Sequence, residues 1–397
     1  MFAFFDTLRK ATRRAVLMPL AALALAACDP SALTTIGSGA GGPRIDTSQP
    51  IPVALLVPRG SGQASDDLLA RNLENAARLA MRDLNGVEID LRVYGTAGNA
   101  QTAASQAALA VNDGARIILG PLYAEAANAA GVAVAPQGVN VLAFSNNTTI
   151  AGGNVFVLGA TFDNTAGRLV NYAASQGRNR IVIVHAQDVS GQLGRNAIQQ
   201  AISRSSATLV GTVDYPLSQQ GVVDSVPRVK AAVDSGAADS VFLTTTSSSA
   251  LPLLSQLLPE AGVSPSSTQF IGLARWDIPP QTLDLPGVQG GWFALPDPAR
   301  SAAFRRQYEG AYGSAPHPLA GLAFDGIAAI GALASQGRSN ALTGAALTQG
   351  AGFQGANGVF RLRPDGTNQR GLAVATIRDN KVVVVSPAPN GFGGAGF

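Results

Sequence analysis

Of the side chains that most often do chemistry, this 397-residue chain has few: one cysteine, two histidines and three lysines. A single cysteine excludes an internal disulfide and a zinc site built on four thiolates. The histidines, His185 and His317, are far apart in sequence, and no HExxH or other paired ligand spacing occurs. The sequence therefore implies neither a metal nor another cofactor. No GxSxG elbow, SxxK or KTG surrounds the serines and lysines. Adjacent carboxylates such as Asp66-Asp67 suit the positive end of a helix better than glycosidase geometry. The expectation is a protein that is not an enzyme.

Charge is scarce as well. Charged residues make up 13% of the chain and hydrophobic ones 46%, a globular composition rather than a disordered one. Of the 28 basic and 25 acidic residues, Arg9, Lys10, Arg13, Arg14 and Asp6 fall within residues 1–27, so the remainder balances at 24 of each. A neutral chain with no Lys/Arg stripe lacks what nucleic acid requires, a basic surface that displaces counterions. Gly60-Ser61-Gly62 matches neither GxxxxGK[ST] nor GxGxxG and reads as a turn, not a phosphate loop.

Long apolar runs are also missing, except near the start. Arg9 to Arg14 is basic, and Ala15 to Ala27 is apolar but too short to remain as a membrane-spanning helix. Residues 1–27 thus read as a signal peptide. They end in Leu25-Ala26-Ala27-Cys28, which resembles a bacterial lipobox. That resemblance implies cleavage before Cys28 and diacylglycerol on its thiol, anchoring a periplasm-facing protein to the inner or outer membrane. A plain signal peptide that happens to end at a cysteine is the alternative. Two or three acyl chains would hold almost permanently, at roughly 0.8 kcal/mol per buried methylene. Asp29 resembles the inner-membrane retention signal of enteric lipoproteins. Residues 28–50, rich in Gly, Ser, Thr and Pro, read as a flexible tether.

What is present is a long alternation of strands and helices. Ile51 to Pro58 is an apolar strand run, and a helix follows with Ser65 as its expected N-cap. Leu69, Leu73, Ala76, Ala80 and Leu84 make one apolar stripe on that helix. The central unit is Ala115 to Thr149. In it Ile117-Ile118-Leu119 stops at Gly120-Pro121, an Ala-rich helix follows, and Val139 to Phe144 ends in Ser145-Asn146-Asn147-Thr148. This is a βαβ unit with polar residues at the carboxyl ends of its strands, where α/β sheets bind ligands. A second alternation begins at RIVIVH, Arg180 to His185, and the chain closes in strands around an Asp365-Gly366 turn. The expected architecture is α/β, with two doubly wound parallel-sheet lobes joined by a multi-crossing hinge. Lobe I is assigned 51–162 plus 295–355, lobe II 163–294 plus 356–389, with a Gly-rich tail at 390–397.

By strand-end placement the candidate cleft residues are Tyr123, Ser145, Asn146, Asn147, Thr148, Phe162, His185, Ser190, Trp276 and Asp325. Each has a plainer reading. Asn and Ser also cap helices and make turns, His185 suits a solvated strand end, and Trp276 suits a core.

From Ile51 to about Pro389 the sequence resembles the type I periplasmic binding fold of the leucine-type receptor superfamily. The resemblance rests on ILGPLYAEAANAAGVAVAPQGVNVLAFSNN, on RIVIVHAQDVSGQLGRNAI and on LAGLAFDGIAAIGALA, with Asp325 at the family's characteristic aspartate. GGWFALPDPARSAAFRRQYEGAYGSAPHPLAGLAFDG, GVFRLRPDGTNQRGLAVATI and SPAPNGF resemble more closely the penicillin-binding-protein activator lipoproteins within it. That closer resemblance implies a lipoprotein that binds and activates a class A penicillin-binding protein in peptidoglycan synthesis. The alternative is a lipid-anchored substrate-binding protein of an ABC transporter, with an amino acid or another small polar solute in the cleft. Where amino-acid receptors of the superfamily carry an aromatic residue after the first second-lobe strand, this chain has Val189-Ser190.

Overall fold

The computed structural model describes residues 42–393. The signal peptide, Cys28 and most of the expected tether lie outside the described residues. The stretch from residue 42 to 50, expected as the end of the tether, packs against the body. Ile45 is buried, and its N–H donates to the Ser339 carbonyl at 2.8 Å. One apolar side chain in a Gly/Ser/Pro run is enough to fix it there.

The first layer is built from β1 (Ile51–Val57), α1 (Ala64–Arg82), β2 (Ile89–Gly95), α2 (Ala100–Asn112), β3 (Ile117–Leu119), α3 (Ala124–Val134), β4 (Asn140–Ala143) and β5 (Val155–Val157). Its sheet is parallel, in the order β2-β1-β3-β4-β5. β3 and β4 are buried throughout, as the apolar runs Ile117 to Leu119 and Val141 to Ala143 require of a strand covered on both faces. Helix α1 begins at Ala64, so Ser65 lies inside its first turn and does not cap it.

The second layer starts with α4 (Phe162–Ser175), then β6 (Arg180–Ala186), α5 (Val189–Ser203), β7 (Thr208–Tyr215), α6 (Gln219–Gly236), β8 (Ser240–Leu243), α7 (Leu251–Glu260), β9 (Gln269–Gly272) and β10 (Trp292–Pro296). The chain then returns to the first layer through α8 (Pro298–Tyr312), α9 (Gly321–Ala334) and α10 (Gly344–Leu347). Phe304, Tyr308, Leu322, Ile327 and Ile330 from these helices pack with β1, β3 and α1 in one core. The ending is β11 (Phe353–Gly355), β12 (Gly358–Leu362), β13 (Asn368–Arg370), β14 (Leu372–Arg378) and β15 (Lys381–Ser386).

The second sheet runs β15-β14-β10-β9-β8-β6-β7, parallel from β7 to β10 and closed by antiparallel β14 and β15. Strands β11, β12 and β13 form a small antiparallel sheet of their own. Phe353, Phe360 and Leu362 from it belong to the first core, so the return to the second lobe comes after Arg370 and not at residue 356 as expected.

Both parallel arrays have the same winding, the second strand outside the first and the others on the opposite side. In such sheets the crevice lies beyond the carboxyl ends of the strands. The chain passes between the lobes at residues 158–161, at Asp297 and at Gly371, and the first and last of these crossings are tied together. The Asn368 side chain donates to the Val157 and Gly159 carbonyls at 2.7 and 2.8 Å, and the Asn164 side chain donates to Asn368 Oδ1 at 2.6 Å. At Gly159 a β-carbon would stand 2.5 Å from the Ser145 carbonyl oxygen, so only glycine lets this crossing approach the end of β4.

Candidate functional site

A cavity of about 900 Å³ lies beyond the carboxyl ends of the strands, with lining from both lobes. From the first come Leu122 and Tyr123 after β3, Phe144 to Asn147 after β4, and Gly159-Ala160 after β5. From the second come Arg275, Asp277, Ile278 and Pro280 after β9, with Pro296 at the end of β10. Helix α8 adds Ser301, Phe304 and Arg305, and the loop before α9 adds His317 and Leu319.

These side chains are held by local bonds that follow from sequence. Gly120 adopts φ +83°, and a β-carbon there would meet the Leu56 carbonyl oxygen at 2.2 Å, so the turn after β3 requires glycine. Beyond it, the Tyr123 hydroxyl donates to Asp66 Oδ1 on α1 at 2.6 Å. That bond, helped by burial, pushes the phenol up to about 12, which keeps Tyr123 a neutral donor. Ser145 Oγ accepts the Asn147 N–H at 3.1 Å, and Asn147 Oδ1 accepts the Thr149 N–H at 2.9 Å. The polar cluster after β4 is thus a pair of side-chain turns, with Asn146 left exposed.

Arg275 and Asp277 form a fork, with Nε to Oδ1 at 2.9 Å and Nη2 to Oδ2 completing it. His317 is held by its own N–H, which donates to Asn72 Oδ1 at 2.8 Å, while its Nδ1 accepts the Leu319 N–H at 3.2 Å. Burial pushes the imidazole below its ordinary pKa, so it enters the cleft wall uncharged at neutral pH.

Arg370 touches the cavity from the hinge side. Its Nε donates to the Leu158 carbonyl at 2.8 Å, and its Nη1 pairs with Asp325 Oδ2 at 2.8 Å. Asp325 is fully buried, and its Oδ1 also accepts the Ala356 N–H at 2.7 Å. Burial pushes this carboxyl up, and Arg370 and Ala356 pull against it. One ion pair therefore joins α9 to the first crossing and to β13.

Of the residues expected at the cleft, the structure brings Tyr123, Ser145, Asn146 and Asn147 together. The others stand elsewhere. Thr148 starts a short 3₁₀ turn behind them. Phe162 is the first residue of α4, since Thr161 caps that helix, and its ring packs on the second-lobe core. His185 is buried within β6 with Nδ1 2.8 Å from the Ala186 carbonyl, and Ser190 is exposed on α5 away from the cavity. Trp276 is fully buried in the core, flanked by Gly272 and Gly291, while its neighbours Arg275 and Asp277 line the cleft. Asp325 reaches the cleft only through Arg370. Arg275, Arg305, His317 and Arg370 were not foreseen. The α8 sequence FRRQYEGAY carried a readable signal in its exposed arginine pair, but nothing local says which face of α8 meets the other lobe.

Among the described residues no group of three or more His, Cys, Asp or Glu is placed to hold a metal ion, and no helix is long and apolar enough to cross a membrane.

A model of the periplasmic binding protein family matches residues 50–381. No curated protein matches the chain. Among solved structures, the chain is similar to a proposed branched-chain amino acid ABC transporter protein from Rhodospirillum rubrum, at 19% identity and a TM-score of 0.71, covering 85% of this chain and 99% of that one. It is similar to an ABC transporter substrate-binding protein from Desulfitobacterium hafniense in complex with Leu, at 18% identity and a TM-score of 0.60, covering 85% of this chain and all of that one. It is also similar to an ABC transporter solute-binding protein from Rhodopseudomonas palustris in complex with 3,4-dihydroxybenzoic acid, at 17% identity and a TM-score of 0.55, covering 86% and 98%. At these identities the likeness is one of fold.

Proposed function

Because the chain belongs to the periplasmic binding protein family, we propose that it is a solute receptor of the periplasm, delivering a small organic molecule to an ABC permease. On this reading Cys28 carries the lipid anchor. The observation that carries the proposal is the cavity itself: about 900 Å³, with walls supplied by strand-end loops of both lobes. A ligand touching both walls binds the closed arrangement better than the open one, and that difference in affinity is what drives closure. The similar proteins hold Leu and 3,4-dihydroxybenzoic acid, and both ligands carry a carboxylate. These likenesses support a small organic acid as ligand.

A second reading, activation of a class A penicillin-binding protein by docking, rests on the resemblance of the stretches around Trp292, Asp325 and Asp365. The comparisons support the transport reading over it. Crosslinking the anchored chain in its own cells and identifying what co-purifies separates the two. The transport reading predicts permease subunits among the captured proteins. Recovery of a bifunctional glycan synthase without permease subunits would overturn it.

A further inference from the structure

Charge inside the cleft limits which acid it accepts. Asp277 is the one carboxylate among the lining residues, and both its oxygens are taken by Arg275. The other carboxylates near the strand ends stand outside the lining, hydrogen-bonded to neutral groups. Asp66 accepts the Tyr123 hydroxyl, Asp188 accepts the Gly191 N–H at 2.7 Å, and Asp297 accepts the N–H groups of Ala299 and Arg300. Of the three lining arginines, Arg275 is paired with Asp277 and Arg370 with Asp325. Arg305, exposed on α8, has no carboxylate partner among the described residues. Among the lining residues there is thus one unpaired positive charge and no unpaired negative one, while Asp66 keeps its charge behind the lining, covered by the Tyr123 hydroxyl. The rest of its wall is largely apolar: Leu122, Phe144, Phe304, Leu319, Leu322 and Leu372.

We propose that the ligand is an organic acid with an apolar body and no ammonium group, its carboxylate met by Arg305. The inference rests on the solute-receptor reading and narrows it. An α-amino acid entering this cleft would bring an ammonium that leaves water for a lining with no unpaired carboxylate to meet it. Serine hydroxyls and amide oxygens can accept its hydrogen bonds but cannot neutralise it. The corresponding acid without the amino group avoids that penalty and keeps the contact to arginine, whose planar fork suits a carboxylate.

The test compares acids that differ from amino acids only in the amino group. The full chain is titrated calorimetrically with 4-methylpentanoate against leucine, with 3-phenylpropanoate against phenylalanine, and with the neutral 4-methylpentanamide. At least one deaminated acid should bind on the order of tenfold or more tightly than its amino acid and its amide. Arg305→Gln should lower that affinity by a similar factor while leaving the melting temperature of the free protein unchanged, since the side chain is exposed. Leucine or phenylalanine binding as tightly as its deaminated partner would overturn this inference and leave the solute-receptor reading standing. Equal binding of acid and amide would remove Arg305 from its role. Silence from every compound would count against both readings.

Discussion

Asp325 and Arg370 show how a single residue pair can hold a hinge. Both side chains are almost wholly withdrawn from water, at 0% and 6% exposure, and each of their side-chain nitrogens and oxygens has a hydrogen-bond partner. Removing one partner of a buried ion pair leaves the other uncompensated, which typically costs about 3–5 kcal/mol. Asp325→Asn should therefore lower the unfolding free energy measured in urea by an amount of that order, whereas an ordinary surface carboxylate would give a change within about 0.5 kcal/mol. A surface-like value would mean that the pair does not hold the crossings. The sequence singled out Asp325 by resemblance but gave no hint of its partner, 45 residues away in β13. The expected cleft residues that line the cavity, Tyr123 and Ser145 to Asn147, sit directly after buried strands, where strand ends are visible as apolar runs that stop. His185 and Trp276 also sit near strand ends, but their side chains turn into the protein interior. Chain position locates a strand end, not the direction in which a side chain leaves it.

Among the elements, α8 matters most to the cleft because it carries Phe304 and Arg305 across from the second crossing. Its start is fixed by Asp297, whose carboxylate accepts two first-turn N–H groups, with Pro298 following where a missing N–H does no harm. Asp297→Ala should lower stability by about 1 kcal/mol in chemical denaturation, the usual effect of losing a cap. It should also weaken acid binding, because the fraying turn leads to Arg305. Unchanged stability would show that the crossing at Asp297, not the cap, sets the start of α8. Most elements were legible because the apolar period switches cleanly between strand and helix. The misses lie where context outweighs period. Phe162 reads as a strand end, yet Thr161 turns it into the first residue of α4. The closing strands divide between two sheets, and pairing partners are not a property of local sequence.

The described residues form two layers of like winding, each presenting strand ends to a shared cavity, with the first and third of three crossings bound to each other by Asn368, Asn164 and Arg370. Balanced charge beyond residue 27 and scarce catalytic side chains, both visible in the sequence, are consistent with a body whose work is to bind. A ligand that binds only the folded state raises stability by about 2.7 kcal/mol at a hundred times its dissociation constant. The most direct measurement is the melting temperature of the full chain across a library of small organic solutes, with acids, amino acids and neutral compounds represented. The account predicts that several apolar acids raise the melting point by a few degrees in a concentration-dependent way. A library in which no solute moves the melting point would contradict it.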